Sequence, residues 1–268
     1  SHHLAAAKAL DHVVERLTPS AEKLRRLMHY GQILQSHALH FFHLSSPDLL
    51  FGFDSEAGRR NIVGVAAAHP DIARQGVLLR KFGQEVIRLT AGKRIHGTGA
   101  IPGGVNRALS RAERDGLLAD IYPIIGWSRQ AVQLVKRLHT SDPALYDVFG
   151  RFLSNILSLV GADGVLDFYD GRLRARDADG KIIVDGVHVK DYHELIREEV
   201  KPWSYMKFPF LTALGPRDGW YKVGPLARVQ NCESIPTPLA QAERREFIEY
   251  GQGKPVHAPL AYHWARMI

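Results

Sequence analysis

The chain has 268 residues, 45% of them hydrophobic, with a formal charge of +7 and a single cysteine. A chain of this length buries roughly 75% of the surface its unfolded form exposes, so a core without staples is attainable. One thiol excludes an internal disulfide framework and any metal site built from cysteine alone, and the absence of any run of about 18 apolar residues excludes a membrane-spanning helix. The basic residues alternate with acids, as in AERRE and SRAERDG. That pattern lacks the dense basic block or aromatic ladder of a nucleic-acid binder. The expectation is a chain of a reducing compartment, most simply the cytoplasm. It would engage neither nucleic acid nor membrane, and its basic face would suit an acidic protein partner.

Helix signals dominate in chain order. An Ala/Leu-rich stretch predicts a helix from residue 4 to about 17. Thr18-Pro19 reads as an N-cap followed by proline at the first helical position. Leu24, Leu27, Met28, Gly31, Leu34, Ala38, Phe41 and Phe42 then keep helical spacing to about residue 44. A third helix is predicted from about Pro70 to Ala91, with Ile72, Leu79, Phe82 and Val86 on one side and Gly92 as its stop. Ser110 and Glu113 form a capping box that opens a helix of about 25 residues. Asp142-Pro143 and Thr237-Pro238 repeat the proline start signal. Between them, residues 165–186 contain two Asp-Gly turns, at 170–171 and 179–180, flanked by short β-prone runs. Residues 207–229 read as irregular or extended. The predicted fold is mainly α: one domain over 1–268, a bundle of long helices with a small inserted β-meander at about 163–186. Both ends of the sequence fall inside apparent helices, so the chain is expected to be the central part of something longer.

Four groups of residues carry candidate chemistry. His37, His40 and His43 recur at intervals of three, which places neighbouring rings on one helix face. Such a pair can grip a transition metal, or the rings can simply border the Phe41–Phe42 patch; no further ligand is signalled. HGTGAIPGGV, residues 96–105, puts a titratable ring beside a loop in which Gly97, Gly99, Gly103 and Gly104 permit positive φ and close backbone approach. It lacks the Gly-Lys-Ser/Thr ending of a phosphate loop. It reads as a tight connection, or as backbone pressed against a cofactor or a subunit. In GPLARVQ, Arg228 follows a Gly-Pro turn and suits a bidentate carboxylate bond or a helix-end salt bridge. Cys232 reads as a small core residue, and Asp54 with Glu56 as a solvated loop pair.

Four islands of the sequence, in chain order, resemble the large subunit of a nickel–iron hydrogenase of the cytoplasmic, NAD-reducing, bidirectional type. SHHLAAAKALD is similar to the stretch that follows the family's first Cys-x-x-Cys motif, and LQSHALHFFHL to its His-rich helix. GKRIHGTGAIPGGV resembles its most specific Gly-Lys/Arg-x-x-His…Gly-Gly motif, and GPLARVQ another recurrent segment. The resemblance implies a nickel–iron centre with cyanide and carbonyl ligands, held by four cysteines. It also implies a small iron–sulfur subunit and a flavin- and NAD-binding diaphorase module as partners, and heterolytic splitting of dihydrogen. This sequence departs from the pattern: both cysteine pairs lie outside it. The chain alone is therefore expected to bind no metal, to be inactive, and to associate with itself through faces left uncovered. By the same resemblance, His2, Ser36, His40 and Arg228 would stand behind the ligands of the metal centre. Ser36 stands where membrane-type relatives carry an Asp. His96, with Gly103 and Gly104, would face the small subunit's nearest iron–sulfur cluster. The rival expectations are a non-catalytic hydrogenase-like subunit, related to the quinone-site subunit of respiratory complex I, and a helical His-rich metal-binding module.

Overall fold

The computed structural model describes residues 2–14 and 17–268. The chain divides into two compact units, residues 1–134 and 135–268.

The first unit begins with α1 (His2–Val14) and α2 (Pro19–Ala38). The expected last turn of α1, around residues 15 and 16, lies outside the described residues. Thr18 caps α2 as expected, its Oγ1 accepting the Ala21 N–H at 3.3 Å, with Pro19 at the first helical position. The α-helix stops short of residue 44. Residues Leu39–Ser45 wind as a π-helix, followed by α3 (Ser46–Phe51). Pro47 supplies the reason: it has no N–H for the carbonyl four residues back, and its ring crowds that carbonyl. A wider turn absorbs the mismatch, and the Ser46 hydroxyl takes the Phe42 carbonyl at 2.6 Å.

α4 (Ile62–Ala68) leads to α5 (Pro70–Ala91), which Gly92 ends at φ 81°. Leu79 and Val86 are buried on α5, whereas Ile72 and Phe82 are half-buried. α2 and α5 meet backbone to backbone: a Cβ on Gly83 would lie 2.7 Å from both the Gly31 carbonyl oxygen and the Gln35 nitrogen. Phe41 and Phe42, at 1% and 2% exposure, pack edge to face beside them. Burying each ring contributes about 1.5–3 kcal/mol. A short hairpin follows, β1 (Ala100–Ile101) with β2 (Gly104–Val105). The Ser110–Glu113 capping box forms as read, but it opens only α6 (Arg111–Ala119); α7 (Ile121–Ser141) starts anew after Asp120. Pro123 forces that break, since a continuous helix would set its ring against the Ala119 carbonyl.

In the second unit, α8 (Pro143–Tyr146) is capped by the Asp142 carboxylate. The β region is larger than the expected meander. β3 (Asn155–Val160), β4 (Arg172–Arg176) and β5 (Ile182–His188) form an antiparallel run. The expected Asp179-Gly180 turn lies between β4 and β5, with Gly180 at φ 93°. α9 (Tyr192–Leu195) leads into a separate hairpin of β6 (Ile196–Val200) and β7 (Lys207–Leu211). After α10 (Gly215–Asp218), β8 (Tyr221–Lys222) joins β3 in parallel, which gives a mixed four-stranded sheet ordered β5-β4-β3-β8. The molecule is thus mostly helical but not a pure helical bundle. Residues 207–229, expected to be irregular or extended, supply a strand of the hairpin, one of the sheet, and also α11 (Pro225–Asn231). α12 (Pro238–Tyr250) starts at the predicted proline, although the Thr237 side chain makes no capping bond, and α13 (Ala261–Met267) follows. Phe247 and Trp264, both almost fully buried, cross edge to face at 5.2 Å in the core of this unit.

Candidate functional site

The stretch HGTGAIPGGV folds back on itself. Pro102 and Gly103 make the tip of the β1–β2 hairpin, and Gly103 takes φ 77°, which only glycine enters without strain. Gly97 and Gly99 serve close approach instead: an added Cβ would sit 2.5 Å from the Ala91 Cβ and 2.6 Å from the Thr90 carbonyl oxygen, respectively. Gly104 needs neither device, because a Cβ there would meet nothing within 4 Å. His96 adopts φ 54° and its ring is exposed.

What holds the hairpin is a clamp that the sequence reading missed. Arg25, 0% exposed, projects from α2 to the hairpin. Its Nε donates to the Gly104 carbonyl at 3.0 Å and its Nη2 to the Ile101 carbonyl at 2.6 Å. The same guanidinium grips Asp11 of α1 in a fork, Nη1–Oδ2 at 2.5 Å and Nη2–Oδ1 at 3.0 Å. Asp11 in turn accepts the Gly103 N–H at 2.7 Å. The Arg25 hydrogen bond holds the Asp11 carboxyl below its usual value, against the opposing effect of burial. His3 adds a bond from its ring to the Ala100 carbonyl at 2.7 Å. One signal was available: Arg25 stands four residues after Ala21, on the side of α2 that buries Ala21, Gly31 and Ala38. A charge on such a face needs a partner, and Asp11 is the one acid among the described residues of the preceding helix.

Ser36 sits half-buried near the end of α2, and His2 is exposed at the start of α1. His40 lies within the π-helix, its Nδ1 3.3 Å from the Ser45 hydroxyl. The π winding breaks the three-residue repeat of His37, His40 and His43, since a wide turn does not bring such residues back to one face. Burial pulls the His43 imidazole below its ordinary pKa. Asp54 and Glu56 are exposed, as expected of a loop pair.

In the second unit, Arg228 on α11 stacks over the Phe168 ring at 5.1 Å. Burial, reinforced by Arg266, brings its pKa down to about 10. The carboxylate expected for it is absent among the described residues. Cys232 is 0% exposed and its thiol is pushed up by burial; Sγ lies 3.6 Å from the Val229 carbonyl, the place of a core residue.

No family model matches the chain. Over 282 aligned residues it is 43% identical to the NAD-reducing hydrogenase HoxS subunit beta of Cupriavidus necator, which covers 100% of this chain and 57% of that protein. A crystal structure of an NAD+-reducing NiFe hydrogenase in the H2-reduced state superposes with a TM-score of 0.96 at 54% identity, over 100% of this chain and 60% of that one. The chain is a homologue of the nickel–iron hydrogenase large subunit. The Ni-Fe-Se hydrogenase of D. vulgaris Hildenborough, at 19% identity and a TM-score of 0.69 over 94% of this chain and 59% of that one, shares the fold. The hydrogenase homologue thus spans less than two thirds of the relatives it matches, at 57% and 60% of their lengths. Its own residues do not fit a nickel–iron centre. Among the described residues no group of three or more His, Cys, Asp or Glu side chains is placed to hold a metal. The single thiol is sealed in the core, where it cannot supply a set of soft thiolate ligands. No helix among the described residues is long and apolar enough to cross a membrane.

Proposed function

We propose that this chain is the scaffold portion of the large subunit of a cytoplasmic nickel–iron hydrogenase that oxidises or evolves dihydrogen with electrons passed to or from NAD. The observation that carries the reading is the match, at 54% identity and a TM-score of 0.96 across the whole chain, to an NAD+-reducing hydrogenase. The metal ligands would come from parts of the large subunit beyond this sequence, so the chain alone holds no nickel and turns nothing over. The partners would be a small iron–sulfur subunit and a flavin- and NAD-binding diaphorase module.

In this reading His2, Ser36, His40 and Arg228 stand behind the metal ligands. Arg228, without a carboxylate of its own among the described residues, is suited to an acceptor supplied from outside the chain. The clamped hairpin presents Gly103 and Gly104 to the small subunit, and the exposed His96 ring faces its nearest iron–sulfur cluster. The glycines let backbone lie close to that partner, and Arg25 keeps the loop in one shape when the two subunits meet.

Two measurements test this. Elemental analysis of the purified chain is expected to find no nickel, whereas the whole large subunit with its small-subunit partner is expected to contain it and to reduce NAD with dihydrogen. Stoichiometric nickel in the isolated chain, or none in the assembled enzyme, refutes the reading. In the assembled enzyme His96→Ala is expected to shift the potential of the cluster nearest the large subunit; an unchanged potential removes the role given to His96.

A further inference from the structure

The second unit contains a cleft of about 260 Å³ lined by Phe152, Ser154, Asn155, Ala178, Arg217 and Trp220, among others. Its walls are fixed in place. The Asn155 side-chain amide donates to the Asp218 and Trp220 carbonyls at 2.8 and 2.9 Å, and the Ser154 hydroxyl joins it on the Trp220 carbonyl at 3.1 Å. Two buried side chains brace the cleft from behind, each through the backbone of a lining residue. Lys222, 7% exposed, donates its ammonium to the Phe152 carbonyl and lies 3.8 Å from the centre of that residue's ring. His257, 3% exposed, bonds through Nε2 to the Ala178 carbonyl at 2.9 Å, and its Nδ1 is buried with no hydrogen-bond partner among the described residues.

The charges around this cleft do not balance. Arg217 lines it, and Arg151 stands beside Phe152 and acts electrostatically on both Lys222 and His257. Neither arginine forms an ion pair among the described residues. Asp218 is the acid on the lining, and Asp179 acts on His257. Burial and Arg151 together bring Lys222 down to about 8, and no carboxylate offsets them. A mostly buried cation without a counter-charge is costly. Lys222 is such a cation behind the wall, and with Arg217 on the lining and Arg151 nearby it favours an anion entering the cleft.

We propose that this cleft binds a phosphate group, as inorganic phosphate or a phosphomonoester. The Arg217 guanidinium on the lining would fork onto phosphate oxygens, with Arg151 nearby and Lys222 behind the wall adding positive charge. An organic portion of a phosphomonoester would lie along the exposed faces of Phe152 and Trp220. The site belongs to this chain alone and does not depend on the hydrogenase reading.

The test is calorimetric titration of the chain with inorganic phosphate and with phenyl phosphate, at constant ionic strength. One saturable site is expected for each. Arg217→Gln, on an exposed side chain that leaves the core intact, is expected to weaken binding about ten-fold, the loss of one charged hydrogen bond, and Arg151→Gln, which removes a nearby charge and no lining group, is expected to weaken it less. Asp218→Asn should tighten it, and Arg111→Gln, in the other unit, should leave it unchanged. Tighter binding of phenyl phosphate identifies a phosphomonoester site, and equal binding a site for free phosphate. Absence of saturation overturns the proposal, as does binding that is insensitive to both Arg151→Gln and Arg217→Gln or that matches chloride in strength.

Discussion

Replacing Arg25 with Met tests the clamp on the hairpin most directly. The substitution roughly keeps side-chain volume and removes a guanidinium that is 0% exposed. It leaves the Asp11 carboxylate, 17% exposed, without its forked partner and removes the guanidinium bonds to the Ile101 and Gly104 carbonyls. Breaking a buried pair by deleting one member costs about 3–5 kcal/mol, chiefly because a desolvated charge remains behind. That is a large share of the ~5–15 kcal/mol that holds a typical domain together. Urea unfolding of wild type, Arg25→Met, Asp11→Ala and the double variant closes a thermodynamic cycle. A coupling of about 2 kcal/mol is expected. If Arg25→Met proves too unstable to measure, Arg25→Lys gives the same comparison with charge kept and fork lost. The coupling also has a pH signature. Because the folded Asp11 carboxyl titrates below the ordinary 3.8, its contribution is complete above that value and fades as pH falls through the lower folded one. Coupling below about 0.5 kcal/mol at pH 7, the level of independent sites, would refute the clamp.

Three further outcomes follow from the packing and charge described above. Gly103→Ala is expected to cost about 1–2 kcal/mol in thermal unfolding, because alanine resists the left-handed conformation, whereas Gly104→Ala should stay within about 0.5 kcal/mol. Gly83→Ala should destabilise the first unit by about 1–3 kcal/mol, since its methyl would press on the backbone of α2; a neutral effect in denaturant titration would show that the helices do not touch. His139, 0% exposed, bonds to Asp147 at 2.9 Å, yet burial sets its folded pKa below 6.5. Protonation therefore favours the unfolded chain, and stability declines as pH falls from 6.5 through the folded value. His139→Gln should flatten that decline when unfolding is followed between about pH 7 and 5, and an unchanged slope would remove His139 from it.

Much of the helical frame is legible in local chemistry. Thr18-Pro19, Ser110 with Glu113, and Gly92 act within one turn of the backbone they shape, and each works as read. The misses have longer reach. β3 reads as a plain apolar run because both its faces are covered; Ile156, Leu157 and Val160 are all buried, so no alternation marks it. The β6–β7 hairpin carries charge and proline in its strands, and its pairing joins residues seven to fifteen positions apart. The π winding at His40 follows from Pro47, seven residues downstream, so the even spacing of three histidines suggested a shared face that the backbone does not provide. The Asp11–Arg25 clamp closes on residue 103, 92 positions beyond Asp11, and no local pattern announces a contact of that range.

The direct seating of Gly83 on Gly31 also bears on the loop that carries His96. α5 cannot slide along α2, and the hairpin beyond it is bolted to the same helix by Arg25. The span from residue 92 to 99 is therefore an arch with both footings set in one foundation. Extra residues inserted there would bow outward into solvent and leave the hairpin where it stands.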